Sequence, residues 1–190
     1  MKLPEQIEAQ RIILKHYTKP TFKLAEDLFK IVDESRETLC EWLPWVDSTN
    51  SKEDEFANYL LPSQEKWENG VGFNYIIYKK ETKKILGVVT LFNIKEKLQS
   101  GEIGYWLSDS ATGFGFMQEA VRALEKIAFE NGINRIVIKN DTLNFRSINV
   151  AKRCGYILEG VLRQNSWNEH KGCLYDTNIW SKLKSDWEKE

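Results

Sequence analysis

The chain has 190 residues, 42% of them hydrophobic and 29% charged, with a formal net charge of −1. That length supports one substantial core and is short for two, so we expect a single domain over residues 1–190. The near-neutral charge argues against a nucleic-acid-binding surface. Because the sequence holds neither an export-signal pattern nor an apolar run long enough to cross a bilayer, we expect a cytoplasmic protein without membrane contact.

Cysteine and histidine are too sparse to predict a disulfide framework or a metal cluster. The three cysteines, Cys40, Cys154 and Cys173, are odd in number and widely spaced, and no CxxC pair occurs. Such usage is typical of a reduced intracellular protein. His16 and His170 are the only histidines, so we expect no metal site, whereas a Cys–His nucleophile pair stays open on residue counts alone.

The first half of the chain predicts a strand, two helices and then three strands. Pro44 separates the two helices, since the residue before a proline disfavours helix. β-branched and aromatic residues on either side of a charged turn predict a hairpin. The predicted elements are a strand over Arg11–Lys19, helices over Thr21–Leu39 and Lys52–Glu68, and strands over Gly72–Tyr78, Ile85–Asn93 and Glu102–Leu107.

The second half of the chain predicts alternating helices and strands. Its strongest signal is an amphipathic helix with Gly132 at its C-terminal end, and Asn144 is a suitable cap for a second helix. The predicted elements are helices over Gly113–Asn131 and Asn144–Cys154, strands over Arg135–Lys139, Tyr156–Leu162 and Cys173–Leu183, and a polar connection over residues 163–172. The whole order predicts an α/β (α+β) fold with a mixed sheet.

A glycine-containing loop, with Gly113 and Gly115, opens the strongest helix. Free N–H groups and the helix dipole make such a helix start a natural anion site, and glycine lets the backbone approach a pyrophosphate closely. A P-loop is excluded because GxxxxGK[ST] does not occur, and the third glycine of the dinucleotide-binding fingerprint is missing. A pyrophosphate site of another kind and a plain turn both stay open.

Three segments together resemble one known family. The stretch GYWLSDSATGFGFMQEAVRAL, residues 104–124, resembles the acyl-CoA-binding segment of the GNAT superfamily of N-acetyltransferases. It is most similar to the ribosomal-protein (Rim-type) N-acetyltransferases, in which an IGYWL strand, a short linker and G-x-G precede a helix. Residues 134–160, NRIVIKNDTLNFRSINVAKRCGYILEG, and the WLPW at 42–45 match the same family in order and spacing.

The resemblance implies the GNAT fold, with acetyl-CoA as the cofactor. In that fold a mostly antiparallel central sheet is flanked by helices, and the strands corresponding to Glu102–Leu107 and Arg135–Lys139 splay apart to hold the pantetheine arm. The glycine loop would bind the pyrophosphate, although Ser110 stands where the family often has Gln or Arg. The residues that the resemblance assigns to the cofactor are Tyr105, Trp106, Leu107, Ala111, Thr112, Gly113, Phe114, Gly115, Phe116, Met117, Asn144 and Ser147.

The implied reaction is direct attack of a neutral amine on the thioester carbonyl. The backbone N–H near Leu107 would stabilise the oxyanion of the tetrahedral intermediate. Ser147 would assist the departing thiolate by its position in the family. For Ser147, an ordinary place in the first turn of a helix is the alternative.

The general base is less defined than the cofactor site. Lys139 and Ser166 occupy the positions at which relatives carry a glutamate. Glu102 is the remaining candidate, with Asp176 and Glu169 as rivals. A salt bridge is the structural alternative for Glu102, and an orienting or folding role is the alternative for Asp176.

Several acceptors stay open. The Rim-type resemblance favours the N-terminal α-amine of a protein, against a small amine such as a polyamine, an amino sugar or an amino acid. A CoA-binding sensor without efficient catalysis is the alternative outside the enzyme class. A homodimer is expected from the resemblance only. The segments expected to line the acceptor side are residues 42–48 and 164–172, with acidic character from Glu41, Asp47, Asp54 and Glu55.

Overall fold

A computed structural model describes residues 1–17 and 19–190. Within them, eight strands form one sheet in the order β1-β2-β3-β4-β5-β6-β8-β7. The strands are β1 (Gln6–Glu8), β2 (Ile12–Lys15), β3 (Phe73–Lys79), β4 (Ile85–Lys95), β5 (Ser100–Leu107), β6 (Arg135–Asp141), β7 (Ile157–Asn168) and β8 (Cys173–Leu183). Neighbouring strands are antiparallel except β5 and β6, which are parallel. The predicted mixed sheet is confirmed.

Helices cover both faces of this sheet. They are α1 (Phe22–Glu34), α2 (Arg36–Leu39), α3 (Lys52–Glu55), α4 (Leu61–Glu68), α5 (Phe116–Glu130), α6 (Phe145–Arg153) and α7 (Lys184–Trp187). A π turn spans Phe56–Leu60, and 3-10 turns span Pro44–Ser48, Glu96–Leu98 and Asp109–Ala111. Within the described residues, none of the helices combines the length and the apolar character that crossing a bilayer requires.

The first helix ends earlier than the sequence predicts. Thr21 caps α1, its side chain accepting a hydrogen bond from the Leu24 N–H at 3.2 Å. Ser35, with φ −117° and ψ 13°, leaves the helical region, and the chain restarts there as α2. The single helix predicted over Thr21–Leu39 is therefore wrong, because the apolar spacing continues across a break in the backbone.

A π turn interrupts the helix predicted over Lys52–Glu68, whose position is otherwise confirmed. Pro62 lies in the first turn of α4 and has no N–H to donate. A regular ladder of helical hydrogen bonds cannot pass through it. The wider turn over Phe56–Leu60 carries the chain into α4, and this local geometry leaves no trace in hydrophobic spacing.

The helix predicted over Gly113–Asn131 starts at Phe116 instead. Gly113 and Gly115 have φ values of 85° and 78°, in the left-handed region that glycine adopts without strain. The chain therefore forms a loop up to Gly115, and α5 begins directly after it.

The polar connection predicted over residues 163–172 is mostly strand. β7 runs to Asn168, which pairs with Cys173 of β8, and only residues 169–172 form the turn. β7 is an edge strand with most of its side chains exposed on both faces, so no apolar alternation marks it. β1 and α7 were not predicted because such short elements leave no periodic pattern. The strand predicted over Arg11–Lys19 is observed as β2, and residue 18 lies outside the described residues.

Two apolar cores hold the sheet from opposite sides. Side chains alternate between the faces of a strand. Ile77 and Val89 accordingly join the core under α5, whereas Ile76 and Val88 join the core under α1. The central strands are therefore packed on both faces, and they support the gap between β5 and β6.

β5 and β6 diverge from each other. They pair only from Ser100↔Arg135 to Glu102↔Val137. Beyond that point β5 stays with β4 and β6 stays with β8, so a V-shaped gap opens between Leu107 and Asp141. This gap is the splayed strand pair expected from the resemblance.

Candidate active site

One cavity of about 880 Å³ occupies the gap between β5 and β6 and extends between the loop before α5, the start of α6, α2 and the β7–β8 hairpin. Most of the predicted cofactor residues line it. They are Tyr105, Trp106, Leu107, Ala111, Thr112, Gly113, Gly115, Phe116, Met117, Asn144 and Ser147. Phe114 does not line it, and its side chain is largely exposed.

β5 turns free backbone groups towards this cavity. The Ser108 N–H, just after β5, donates to the carbonyl of Leu86 in β4 at 2.8 Å. Because hydrogen-bond direction alternates along an antiparallel strand, the N–H groups of Tyr105 and Leu107 point away from β4 and into the gap. An extended ligand arm that lies in the gap can therefore pair with β5 as a strand would.

The loop before α5 presents backbone donors at the mouth of the gap. A Cβ added to Gly113 would meet nothing within 4 Å, so this backbone is open to a ligand. The first-turn N–H groups of α5, at Phe116 and Met117, have no acceptor within the helix, and the helix dipole favours an anion there. This arrangement suits a pyrophosphate.

Ser147 lies at the far wall of the gap in a polar network. Its Oγ is 3.0 Å from the Tyr105 hydroxyl and accepts a hydrogen bond from Asn140 Nδ2 at 3.2 Å. Burial raises the pKa of Tyr105, so its hydroxyl stays protonated. Asn144 caps α6, its Oδ1 accepting from the Ser147 N–H at 3.0 Å, which leaves the Asn144 amide nitrogen for a ligand.

Comparison with known proteins agrees with this geometry. Residues 11–157 match the family model described as an acetyltransferase (GNAT) domain. The chain belongs to the GNAT family. Over 188 residues it is 30% identical to a ribosomal-protein-serine acetyltransferase of Escherichia coli, with 96% of each chain covered. This GNAT protein is an N-acetyltransferase, as its relatives are.

Solved structures place the same fold around coenzyme A. The microcin C7 self-immunity acetyltransferase MccE, in complex with acetyl-CoA and AMP, is 30% identical with a TM-score of 0.83, and the match covers 92% of this chain and 93% of MccE. RimL, a ribosomal L7/L12 α-N-protein acetyltransferase in complex with coenzyme A, is 24% identical with a TM-score of 0.87 over 96% and 99% of the two chains. The RimL match shows the fold alone.

Arg11 supports the loop before α5, although it is far from that loop in the sequence. Its Nη1 donates to the Phe114 carbonyl at 2.9 Å, and its Nε donates to Glu119 Oε2 at 2.8 Å. Its guanidinium also lies 4.8 Å from the centre of the Phe116 ring. Arg11 therefore ties the loop to the start of α5 and adds positive charge beside the proposed anion site. No local pattern marks it, since its partners are more than a hundred residues away.

Asn140 is a second residue that the sequence does not single out. Its Oδ1 accepts from Asn178 Nδ2 at 3.0 Å and from Trp180 Nε1 at 3.3 Å. Because both partners are donors, the amide orientation is fixed and Nδ2 must face Ser147. The orientation of the Ser147 network therefore comes from β8, which is remote from it in sequence.

The structure does not bring Glu102 and Asp176 into the cavity. Glu102 Oε1 accepts from Lys139 Nζ at 2.9 Å and from Asn93 Nδ2 at 3.1 Å, at the closed end of the gap. Asp176 Oδ1 accepts from the Gln164 N–H at 2.8 Å, where β7 is irregular. Both carboxylates thus have structural partners, and a catalytic role for either stays a prediction.

The acceptor side of the cavity is aromatic and polar. Trp42 and Leu43, from the predicted WLPWVDS segment, line one wall. The hairpin of β7 and β8 lines the other with Asn165, Ser166, Asn168, Tyr175 and Thr177. Ser166 Oγ lies 3.4 Å from Thr177 Oγ1, which confirms that the chain places a hydroxyl, not a carboxylate, at this point.

The acidic character expected for this side is not found there. Glu55 is 2% exposed and buried under α1, so the prediction that it contributes acidic character to the acceptor side is wrong. Glu41 pairs with Lys171 at 2.8 Å, and Asp47 lies 3.5 Å from His170 Nδ1. Asp54 accepts from a backbone N–H beside α3. These acidic residues therefore pair with neighbouring groups or are buried, and they do not line the acceptor side of the cavity.

Two other carboxylates do line the cavity in the part of the chain that the structure describes. Asp109 Oδ2 accepts from Thr38 Oγ1 at 2.8 Å, and Arg146 lies 3.5 Å from its other oxygen. Asp141 Oδ1 accepts from the Leu143 N–H at 2.7 Å. Each carboxylate is held by neighbouring groups, so neither is a free carboxylate ready to accept a proton from the acceptor.

Proposed function

We propose that this chain transfers the acetyl group of acetyl-CoA to the N-terminal α-amine of a protein, with ribosomal proteins as the first candidates. The observation that carries the proposal is a continuous cavity, with backbone donors along β5 and before α5 at one end and a polar aromatic wall at the other. The similarity to a ribosomal-protein-serine acetyltransferase supports the choice of acceptor. The single sheet supports one domain for the whole activity.

The cofactor would lie across the gap in a defined direction. The pyrophosphate rests on the N–H groups from Gly113 to Met117, with Arg11 nearby. The pantetheine arm runs along the free edge of β5, and the amide of Asn144 bonds to it from the other side. This path ends with the thioester between Leu107 and Ser147.

The chain's own groups then stabilise the charges of the reaction. The amine nitrogen attacks the thioester carbonyl, and the N–H of Leu107 stabilises the oxyanion that forms. When the carbon–sulfur bond breaks, Ser147 Oγ donates a hydrogen bond to the thiolate. The attacking nitrogen loses one proton to water or to a carboxylate, and the departing thiolate takes up one proton, so the products are the amide and the free thiol of coenzyme A.

The cavity's chemistry favours an α-amine over a lysine side chain. An α-amine has a pKa of about 7.7–8.0, against about 10.4 for lysine, so roughly a tenth of it is neutral at pH 7, whereas fewer than about one lysine side chain in a thousand is. It needs little help from a base. The lining carboxylates, Asp109 and Asp141, are both engaged by neighbours, so an acceptor with a substantial neutral fraction suits this site better than a lysine side chain does.

A small amine is the second candidate acceptor. The solved structure of MccE, at 30% identity, is a complex with acetyl-CoA and AMP. Trp42 and Leu43 provide an apolar wall on which a flat ring could pack. An amine attached to a nucleotide therefore joins polyamines, amino sugars and amino acids in the test set.

The deciding experiment measures release of free thiol from acetyl-CoA by the purified protein. Peptides that begin with serine or alanine and copy ribosomal-protein N-termini are compared with the small amines, and mass spectrometry locates the acetyl group. The matched control is each peptide already acetylated at its N-terminus. We expect turnover with free peptides and none with blocked ones. Tight CoA binding with no turnover on any acceptor would contradict the proposal and favour a CoA sensor.

A further inference from the structure

A thiol, a carboxylate and an imidazole, all groups that bind metals, lie close together near the acceptor side of the cavity but outside it. Cys40 follows α2, Asp47 lies in the 3-10 turn Pro44–Ser48, and His170 lies in the turn of the β7–β8 hairpin. Cys40 Sγ is 3.6 Å from His170 Nε2, and Asp47 Oδ2 is 3.5 Å from His170 Nδ1. One ligand atom from each residue lies within 4.8 Å of the others.

We propose that Cys40, Asp47 and His170 bind a Zn²⁺ ion. Thiolate, imidazole and carboxylate are the ligand types that zinc takes in proteins, in tetrahedral geometry. With zinc distances of about 2.3 Å to sulfur and about 2.0–2.1 Å to nitrogen, the tetrahedral angle places the two ligand atoms about 3.5 Å apart. The separation of 3.6 Å between Cys40 Sγ and His170 Nε2 matches this spacing.

Asp47 must rotate to complete the coordination, because its Oδ2 faces His170 Nδ1, whereas Cys40 Sγ faces His170 Nε2. Asp47 and His170 are both about half exposed, with side-chain exposures of 43% and 46%, so Asp47 can rotate its carboxylate towards an ion held by the other two. Cys40 is buried at 6% exposure and fixes the position of the sulfur. Three protein ligands leave the fourth position of a tetrahedral ion for water.

The proposed zinc site lies where the β7–β8 hairpin contacts the segment that follows α2. Lys171 Nζ bonds to Glu41 Oε1 at 2.8 Å, and Asn168 Nδ2 donates to the Glu41 carbonyl at 2.9 Å. Asn168 and Trp42 both line the cavity. An ion bound to Cys40 and His170 would fix the hairpin turn against α2. It would thereby hold the two walls of the acceptor side, the one with Trp42 and the one formed by the hairpin, at a constant separation.

The sequence does not predict this site, because two histidines and the lack of a CxxC pair indicate no ligand cluster. Cys40 and His170 are 130 residues apart, and only the return of the hairpin onto α2 brings them together. The proposal replaces the sequence-based expectation that the chain holds no metal site.

The test is direct zinc binding by the full chain after treatment with a chelator. Competition with a chromophoric zinc indicator gives stoichiometry and affinity, and Co²⁺ substitution reports a thiolate ligand through its sulfur-to-metal charge-transfer absorption. We expect one ion per chain. His170→Gln changes a half-exposed side chain in a turn and is expected to fold, and it should weaken binding by more than the roughly 10–100-fold that outer-shell changes cause.

Cys173→Ser is the matched control, because Cys173 is an exposed thiol in the same hairpin. It should keep both zinc affinity and the cobalt thiolate signal, whereas Cys40→Ser should lose the signal. Equal affinity in the wild-type chain and His170→Gln would overturn the proposal. So would a thiolate signal that Cys173→Ser removes and Cys40→Ser retains.

Discussion

At Ser147, the neighbouring Asn140 fixes the direction of one hydrogen bond. Asn140 Nδ2 has only protons to give, so Ser147 Oγ is the acceptor in that bond. Tyr105 Oη lies 3.0 Å from Ser147 Oγ and 3.2 Å from the Ser147 carbonyl. When Tyr105 gives its proton to Ser147 Oγ, the Ser147 hydroxyl proton is left to point into the cavity, as a group that stabilises a departing thiolate must.

Replacing this hydroxyl should slow the chemical step more than it weakens binding. For Ser147→Ala we expect kcat to fall by about 10–100-fold with the Kd of acetyl-CoA changed by less than about threefold, as for an interaction made in the transition state. Steady-state kinetics with a peptide acceptor and calorimetry with CoA give the two values. Unchanged turnover would leave Ser147 with only its place in the first turn of α6.

Asn140→Asp tests the assigned direction without removing Ser147. The new carboxylate oxygen accepts where Nδ2 donated, so the Ser147 proton turns towards residue 140 and away from the cavity. We expect a loss of kcat similar to that of Ser147→Ala, with the CoA affinity preserved. An Asn140→Asp variant with full activity would show that the direction of this bond is irrelevant to turnover.

At the scale of elements, the start of α5 carries the proposed anion site. Gly115→Glu places a carboxylate where the pyrophosphate would lie, and we expect acetyl-CoA binding to fall by at least about a hundredfold, because charge repulsion replaces the dipole attraction. Gly132→Glu is the matched control, since Gly132 also has a positive φ, of 97°, and open space, at the other end of α5. Equal binding losses in both variants would point to strain instead of a site.

The π turn between α3 and α4 lies beside a buried acid. Burial raises the pKa of Glu55 to about 7, from a usual value of 4.5. Its Oε2 and the Tyr59 hydroxyl have no hydrogen-bond partner in the described residues. The folded state therefore holds the Glu55 proton more tightly than the unfolded state does, and folding stability falls as the pH rises from about 4.5 to about 7.

Glu55→Gln should flatten this dependence. The shift corresponds to at most roughly 3 kcal/mol of unfolding free energy, so the variant should gain on the wild type at pH 8 and match it near pH 5. Denaturant unfolding at several pH values measures the difference. Glu53→Gln, an exposed neighbour in α3, is the control and should keep the wild-type profile. A parallel shift of both variants would contradict the assignment to Glu55.

The cofactor elements could be predicted because their signals are local in sequence. The β5 strand, the loop with Gly113 and Gly115, and α5 follow one another without a gap, and Asn144 caps the helix that carries Ser147. The contacts that complete the site are remote, such as Arg11 with Phe114 and Asn140 with Trp180. Periodicity and capping patterns cannot reveal them, because only the strand order brings these residues together.

For the whole molecule, strand order also explains why the acceptor side was harder to predict than the cofactor side. β8 lies between β6 and β7, so the last hairpin folds back across the chain to face α2. β7 is exposed on both faces and lacks apolar alternation, and its polar residues resemble a loop. The cofactor half is thus encoded in contiguous segments, and the acceptor half in an edge strand whose place depends on the complete sheet.

A buried ion pair joins distant parts of this sheet and its helices. Lys182 on β8 and Glu125 on α5 are 0% and 1% exposed, and their charged atoms are 2.9 Å apart. Lys182 Nζ also donates to the Cys154 carbonyl at 2.8 Å and pairs with Glu190 at 2.9 Å. One ammonium group therefore connects β8, α5, the end of α6 and the last residue of the chain.

Removing one partner of this pair should cost more than removing both. Glu125→Leu leaves the buried ammonium with the Cys154 carbonyl and the half-exposed Glu190, and we expect a loss of about 3 kcal/mol in unfolding free energy. Glu125→Leu with Lys182→Met should recover most of it, because an apolar pair of similar volume needs no charge compensation. Denaturant unfolding followed by tryptophan fluorescence checks both variants.

The same unfolding curves test whether the chain is one domain. In a single domain, each variant should shift one cooperative transition. A double variant as unstable as the single one would assign the loss to packing, and a split transition would contradict the single domain.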